Sequence, residues 1–237
     1  QRGTLARSPY LILQDKEDFK MKWKRILAMI LAVASCLSLA VSASAANTVT
    51  RKATDFKDYD RTAWYAEAVS AAVDNGLLYG KSSTVIDPNG AMTRAEMAAI
   101  INRSFGCYKT ADISHYKDVS KSAWYYKDVA LAVQMGTYNG RSSSAMAPDA
   151  PISRQEAMTV VARALELDYD AYAKTDLSKF ADRDKISAWA LPYIRAMVGA
   201  DYIHGRGKNL APLDNITRAE FAQIFANIIG SYITVKG

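Results

Sequence analysis

Apolar positions return with helical spacing in six stretches of this chain, in three pairs. In the first member of each pair one face carries Trp64, Ala68, Val69, Ala72 and Val73, then Trp124, Val129, Ala132 and Val133, then Trp189, Ile194 and Val198. In the second member it carries Met97, Ile100, Ile101 and Phe105, then Ala157, Val160, Val161 and Leu165, then Phe221, Ile224, Phe225 and Ile229. Residues three and four apart share a face of an α-helix, so the pattern predicts helix, loop, helix three times over. The expected fold class is all-α.

Punctuation supports that reading. Gly76 and Gly136 follow the first helices where a left-handed residue belongs, and Asp201 takes that place in the third copy. Gly80, Gly140 and Gly205 open a tight loop that Pro88, Pro148 and Pro212 close. Each second helix starts at a hydroxyl followed three residues later by Glu: Thr93 with Glu96, Ser153 with Glu156, Thr217 with Glu220. This is a capping box. Phe56-Lys57-Asp58, Tyr116-Lys117-Asp118 and Phe180-Ala181-Asp182 introduce the copies. From Trp to the Arg of the capping box is 30 residues in two copies and 29 in the third, with Trp-to-Trp intervals of 60 and 65. Order and spacing together define an internal repeat. One copy is too small to bury its apolar face alone, so the three are expected to share a core and unfold together.

The candidate chemistry lies in the capping boxes. Arg94, Arg154 and Arg218 occupy the first helical position, where the macrodipole mildly disfavours a cation. Threefold repetition of that choice points to an anion site of guanidinium and free helix amides. Removal of such an Arg should hardly affect folding. A surface Arg bonding a neighbouring repeat's carboxylate is the plainer alternative. Trp64, Trp124 and Trp189 can be core or an exposed binding platform, and Asp58, Asp118 and Asp182 can be turn residues as well as ligand contacts. Gln155, standing where the other copies have Ala, is expected to face solvent.

The chain start changes the picture of charge. Met21 to Arg25, the apolar run Ile26–Val41 and Ala43-Ser44-Ala45 read as a signal peptide over 21–45, preceded by an upstream segment, 1–20, and followed by a tether, 46–55. Val33-Ala34-Ser35-Cys36 offers the alternative of a lipid-bearing Cys36. Loss of residues 1–45 removes 7 Lys/Arg and 3 Asp/Glu, so the formal charge falls from +6 to +2. The basic residues are dispersed, with no stripe for nucleic acid. Only Cys107 then remains, as an inert thiol without a disulfide partner. His115 and His204 stand apart from other metal-ligand types. Gly76 to Ser82 is one residue short of a phosphate loop and follows a helix; its counterpart, ending Gly140-Arg141-Ser142, marks it as part of the repeat. No cofactor is expected, no metal site, and no membrane span after signal cleavage.

The order aromatic-Xaa-Asp, Trp, Gly, Gly, Pro, Thr/Ser-Arg-Xaa-Glu resembles the S-layer homology (SLH) module, three times, over 56–107, 116–167 and 180–233. The resemblance implies three repeats assembled as a pseudo-threefold, three-pronged spindle. It implies a secreted, non-catalytic protein held at the bacterial cell surface. The implied partner is a secondary cell-wall polysaccharide carrying pyruvate ketals, bound in grooves between prongs. It implies that Arg94, Arg154 and Arg218 grip the ketal carboxylate, that Asp58, Asp118 and Asp182 bond sugar hydroxyls, and that Trp64, Trp124 and Trp189 line the grooves. Gly80, Gly140 and Gly205 would let backbone approach the sugar. The family often has an aromatic two residues before the loop Pro; this chain has Ile86, Met146 and Leu210. A structural surface-layer component, or an adaptor for a cargo protein at the wall, is the alternative. A glycan-acting enzyme would need two convergent carboxylates, and no unrepeated pair stands out.

Overall fold

The structure, a computed structural model, describes residues 51–105 and 108–234. The expectations for the leader, for Cys36 and for Cys107 lie outside the described residues. Six α-helices follow in order: α1 (Ala66–Asp74), α2 (Arg94–Phe105), α3 (Tyr126–Gln134), α4 (Arg154–Ala164), α5 (Leu191–Gly199) and α6 (Arg218–Thr234). Two short 3-10 turns, Ala53–Asp55 and Arg183–Lys185, precede the first helices of repeats 1 and 3. Among the described residues extended segments meet only in isolated bridges, and no sheet forms. Among the described residues no helix is long and apolar enough to cross a membrane.

The helix stops are those the sequence predicts. Gly76, Gly136 and Asp201 have φ of 67°, 70° and 62°. In each case the next amide reaches back five residues, Leu77 N to Ala72 O at 2.8 Å, Thr137 N to Ala132 O at 3.1 Å and Tyr202 N to Met197 O at 2.9 Å. That bond satisfies a carbonyl left over at the helix end.

The helix starts differ from expectation in one respect. Trp64, Trp124 and Trp189 precede α1, α3 and α5 rather than opening them, and they are 63%, 64% and 51% exposed. Their neighbours Tyr65, Tyr125 and Ala190 turn into the core instead. Trp64 stands edge-on to Tyr65 at 5.5 Å between ring centroids, and Trp124 to Tyr125 at 5.4 Å. The core thus takes the tyrosine ring and leaves the larger indole outside.

The principal helix pairs all join different repeats. The first helix of each repeat packs on the second helix of the preceding one, α3 on α2 and α5 on α4, and α1 closes the circle on α6. These are the three prongs. At their junction three extended residues form a ring. Met92 N donates to Ile216 O at 3.0 Å, Ile216 N to Ile152 O at 3.1 Å, and Ile152 N to Met92 O at 3.0 Å. All three side chains are fully buried. A cycle of three equivalent bonds among three copies defines the pseudo-threefold axis.

Candidate functional site

Three loop-and-helix edges face the spaces between prongs, one per repeat; grooves 1, 2 and 3 are numbered by the repeat that supplies the edge. Grooves 2 and 3 are cavities of about 390 and 410 Å³. Groove 2 is built from Tyr138 to Arg141 and from Glu156, Thr159 and Arg163 of α4; Arg94 comes from repeat 1 and Trp189 from repeat 3. Groove 3 repeats the plan with Tyr202 to Arg206, with Glu220, Gln223 and Asn227 of α6, with Arg154 from repeat 2 and Trp64 from repeat 1. Both grooves therefore draw on all three repeats. By position in the repeat, the equivalent residues for groove 1 are Tyr79, Lys81, Glu96, Arg103, Arg218 and Trp124.

The arginines of the capping boxes are buried, with exposures of 4% for Arg94, 4% for Arg154 and 2% for Arg218. Each reaches across to the following repeat. Arg94 Nε donates to Met146 O at 2.8 Å and Nη2 to Asn139 O at 2.9 Å, while Nη1 pairs with Glu156 Oε1 at 3.1 Å. Arg154 Nε donates to Leu210 O at 2.8 Å, and Nη1 pairs with Glu220 Oε1 at 3.1 Å. Arg218 Nε donates to Ile86 O at 2.8 Å, Nη1 pairs with Glu96 Oε1 at 3.4 Å, and Nη2 donates to Tyr79 O. The three pairs run in a circle, repeat 1 to 2, 2 to 3 and 3 to 1. Burial lowers the pKa of Arg154 and Arg218 from the ordinary arginine value, against the pull of Glu220 and Glu96. Tyr138 donates to Arg94 O at 2.9 Å under the guanidinium, and burial pushes its phenol far up.

The helix amides expected to be free are occupied. The first, of Arg94, Arg154 and Arg218, donate to Ala150 O, Asp214 O and Gly90 O at 3.0, 2.8 and 3.1 Å. The second, of Ala95, Gln155 and Ala219, donate to Pro148 O, Pro212 O and Pro88 O at 2.8, 2.9 and 2.8 Å. The third, of Glu96, Glu156 and Glu220, donate to the hydroxyls of Thr93, Ser153 and Thr217. Neighbouring-repeat carbonyls thus take the place an anion would fill, which the local sequence could not show. Gln155 also departs from expectation. It is buried, its Nε2 donates to Ser187 Oγ and its Oε1 accepts from Ser187 N, both at 3.0 Å, so it staples repeat 2 to repeat 3.

Each capping-box Glu carries two loads. One oxygen accepts from its own cap amide, Thr93 N at 2.9 Å, Ser153 N at 2.8 Å and Thr217 N at 2.9 Å. Burial alone would raise the Glu156 carboxyl, but the bonds from Ser153 and the charges of Arg94 and Arg141 outweigh it and hold the pKa below the ordinary value. Glu96 and Glu220 are lowered in the same way, against burial, by Lys81 with Thr93 and by Arg206 with Thr217.

Asp58, Asp118 and Asp182 clamp the loops. Each carboxylate accepts two successive backbone amides: Ile86 N and Asp87 N at 2.9 and 2.7 Å, Met146 N and Ala147 N at 2.9 and 2.7 Å, Leu210 N and Ala211 N at 2.8 and 2.8 Å. The second residue of each pair is non-glycine with φ of 54°, 54° and 50°, a left-handed conformation the clamp holds in place. Asp118 and Asp182 are outside the walls of grooves 2 and 3. Gly140 and Gly205 are in those walls, but their hydrogen faces the loop. A Cβ at Gly80, Gly140 or Gly205 would collide with the ring of Phe56, Tyr116 or Phe180 and with loop carbonyls.

Sequence reasoning passed over the cations at the groove lips. Lys81, Arg141 and Arg206 each follow the loop glycine and touch the same Glu as the buried Arg, at 2.6, 3.4 and 2.5 Å. Their side chains are partly exposed, where the buried trio is not. The signal was present in the repetition of a basic residue at this place in all three copies. Among the described residues no cluster of His, Cys, Asp and Glu is arranged for a metal.

Comparison with known proteins agrees with this architecture. The family model of the S-layer homology domain matches residues 55–98, 115–158 and 179–222. The chain is 34% identical over 182 residues to the surface-layer 125 kDa protein of Lysinibacillus sphaericus, which is 75% of this chain and 15% of that protein. It is 24% identical over 210 residues to an endoglucanase of a Bacillus species, strain KSM-635, covering 87% of this chain and 22% of the enzyme. It is 23% identical over 194 residues to the S-layer protein sap of Bacillus anthracis, covering 82% and 24%. The chain therefore spans less than a quarter of the length of these relatives, whether they are named as surface-layer proteins or as enzymes. With three matched modules in tandem, in register with the three structural repeats, the chain belongs to the S-layer homology domain family.

Proposed function

We propose that this chain is a non-catalytic anchor, holding itself and any cargo at the bacterial cell surface. It binds a secondary cell-wall polysaccharide bearing pyruvate ketals in the grooves between prongs. The observation that carries this reading is the exposure of Trp64, Trp124 and Trp189 at equivalent places, two of them in walls of sugar-sized cavities. An indole left in solvent three times, beside a core that accepts the adjacent tyrosine or alanine, is suited to stacking on a sugar face. The lip cations Lys81, Arg141 and Arg206 stand at the groove edges, where a bound glycan passes them. Arg94, Arg154 and Arg218 act from the groove floor, through their charge and by fixing the loop carbonyls. Asp58, Asp118 and Asp182, with Gly80, Gly140 and Gly205, support binding by holding the loop in shape. The relatives named as enzymes share only a small part of their length with this chain, which favours anchoring over catalysis.

The similarity to surface-layer proteins favours a second reading, a lattice component or protein-binding adaptor at the wall. Pull-down with purified cell-wall sacculi separates the two. Under the anchoring reading the protein sediments with intact sacculi and stays in solution once the polysaccharide is stripped. Equal sedimentation with both preparations would overturn glycan binding and leave the protein-partner reading.

A further inference from the structure

The grooves share a plan but differ in charge. In groove 2 three guanidiniums, of Arg94, Arg141 and Arg163, meet one carboxylate, Glu156. Arg141 is loosely held, its Nη2 lying 3.4 Å from Glu156 Oε2 and 3.2 Å from Pro151 O. Arg163 has no carboxylate partner among the described residues. Its Nη2 donates to Tyr193 Oη at 3.2 Å and its guanidinium lies over the Tyr193 ring, 4.9 Å from the centroid. Tyr169 braces that ring edge-on at 4.7 Å.

In groove 3 the corresponding cation is neutralised. Arg206 binds Glu220 with two bonds of 2.5 and 2.9 Å and Asp214 with a third of 2.8 Å. The groove 3 counterpart of Arg163 is Asn227, whose Nδ2 donates to Tyr202 O at 3.1 Å. Two carboxylates thus balance Arg154 and Arg206. In groove 1 Arg103 lies on the exposed ring of Tyr79, 4.2 Å from its centroid, and that ring stands where groove 2 has the smaller Asn139.

We propose that groove 2 is the seat for an acidic sugar, its carboxylate held between Arg141 and Arg163, whereas groove 3 takes a neutral sugar of the same polymer. This rests on the glycan-binding reading above. A carboxylate entering groove 2 finds Arg163 without a protein anion, and it competes only with the 3.4 Å contact of Arg141 to Glu156. The same group entering groove 3 must displace Glu220 or Asp214 from Arg206, exchanging one carboxylate for another with no net gain. Tyr193 is a positioning residue, aiming Arg163 into the groove.

The indoles make the test groove-specific, because Trp189 reports groove 2 and Trp64 reports groove 3. The full chain, with its indole N–H groups observed by NMR, is titrated with a methyl mannoside carrying a pyruvate ketal. A matched titration uses the isopropylidene analogue, in which a methyl replaces the carboxylate. We expect the acidic probe to move Trp189 at a concentration roughly tenfold below the neutral one, and both probes to act alike on Trp64. Arg163→Gln should remove the preference at Trp189 and leave the neutral probe unaffected. Tyr193→Phe should reduce it partly, and Arg163→Lys should restore part of it. Equal preference for the acidic probe at Trp64 and Trp189, or an unchanged preference in both Arg163→Gln and Arg141→Gln, overturns the proposal. If purified wall glycan itself moves none of the indoles, the anchoring reading fails and this one falls with it.

Discussion

Arg94 of the first repeat and Glu156 of the second form a part-buried ion pair, Nη1 to Oε1 3.1 Å, that closes one third of a ring around the molecule. The pairs Arg154–Glu220 and Arg218–Glu96 close the rest. Each Glu is at once the capping residue of its own helix and the acceptor of its neighbour's Arg. The motif that starts a helix is therefore also the joint between repeats. It is the groove floor as well, so assembly and groove shape depend on the same side chains.

This relation predicts that the two sets of cations behave differently. Arg94→Ala leaves Met146 O and Asn139 O without their donor and strips Glu156 of its closer cation. Breaking a buried pair from one side costs about 3 kcal/mol, which lowers the melting midpoint by on the order of 10 °C. Arg141→Ala removes a long contact of an exposed side chain and should change stability by less than about 0.5 kcal/mol. Thermal melts of the two variants check this. Equal stability would show that the buried Arg carries no structural load, which was the expectation from sequence.

Acid should loosen the ring. Glu96, Glu156 and Glu220 have folded pKa values held below the ordinary 4.5. Groups of that kind contribute stability in full above the ordinary value and lose it as pH falls through the folded one. The melting midpoint should be flat between neutrality and about pH 5, then drop below about pH 4.5. Glu156→Gln should be less stable than wild type at neutral pH, and the difference should shrink towards pH 3. A difference independent of pH would show that the charge of Glu156 contributes nothing.

No single repeat should fold. The partner of α1 is α6, at the other end of the described chain, and the partner of α2 is α3 in the next repeat. A fragment of residues 56–106 keeps α1 and α2 but loses both partners, so circular dichroism should show it largely unfolded. A cooperative melt of that fragment would contradict the shared core.

Much of this was legible in the chain because helix signals are local. Spacing marked the six apolar faces, the capping boxes marked three starts, and Gly76 and Gly136 marked two stops, all within one turn of the residues concerned. Which face meets which was not legible, since periodicity says that a stripe is buried and not against what. The arginines show the same limit. Their place at the first helical position is a local fact, but the side chain is long and its partners lie in the next repeat. Gln155, standing where the other copies have Ala, reads as solvent-facing, but Ser187 of the following repeat covers it. The indoles were undecided for want of knowing where the helices begin, which puts Tyr65 and Tyr125 inside and Trp64 and Trp124 outside.

The central claim is that the exposed indoles line glycan-binding grooves, and the most direct measurement is a titration of purified wall polysaccharide into wild type and into the variant carrying Trp64→Ala, Trp124→Ala and Trp189→Ala. The three side chains are more than half exposed, so the variant should melt close to wild type. Stacking contributes about 0.5–1.5 kcal/mol for each aromatic contact beyond simple burial, so loss of the indole from an occupied groove should weaken binding by roughly two- to tenfold. The account predicts a folded protein with affinity for the wall glycan reduced by a factor of that size. A folded variant that binds the polysaccharide as wild type does would contradict it.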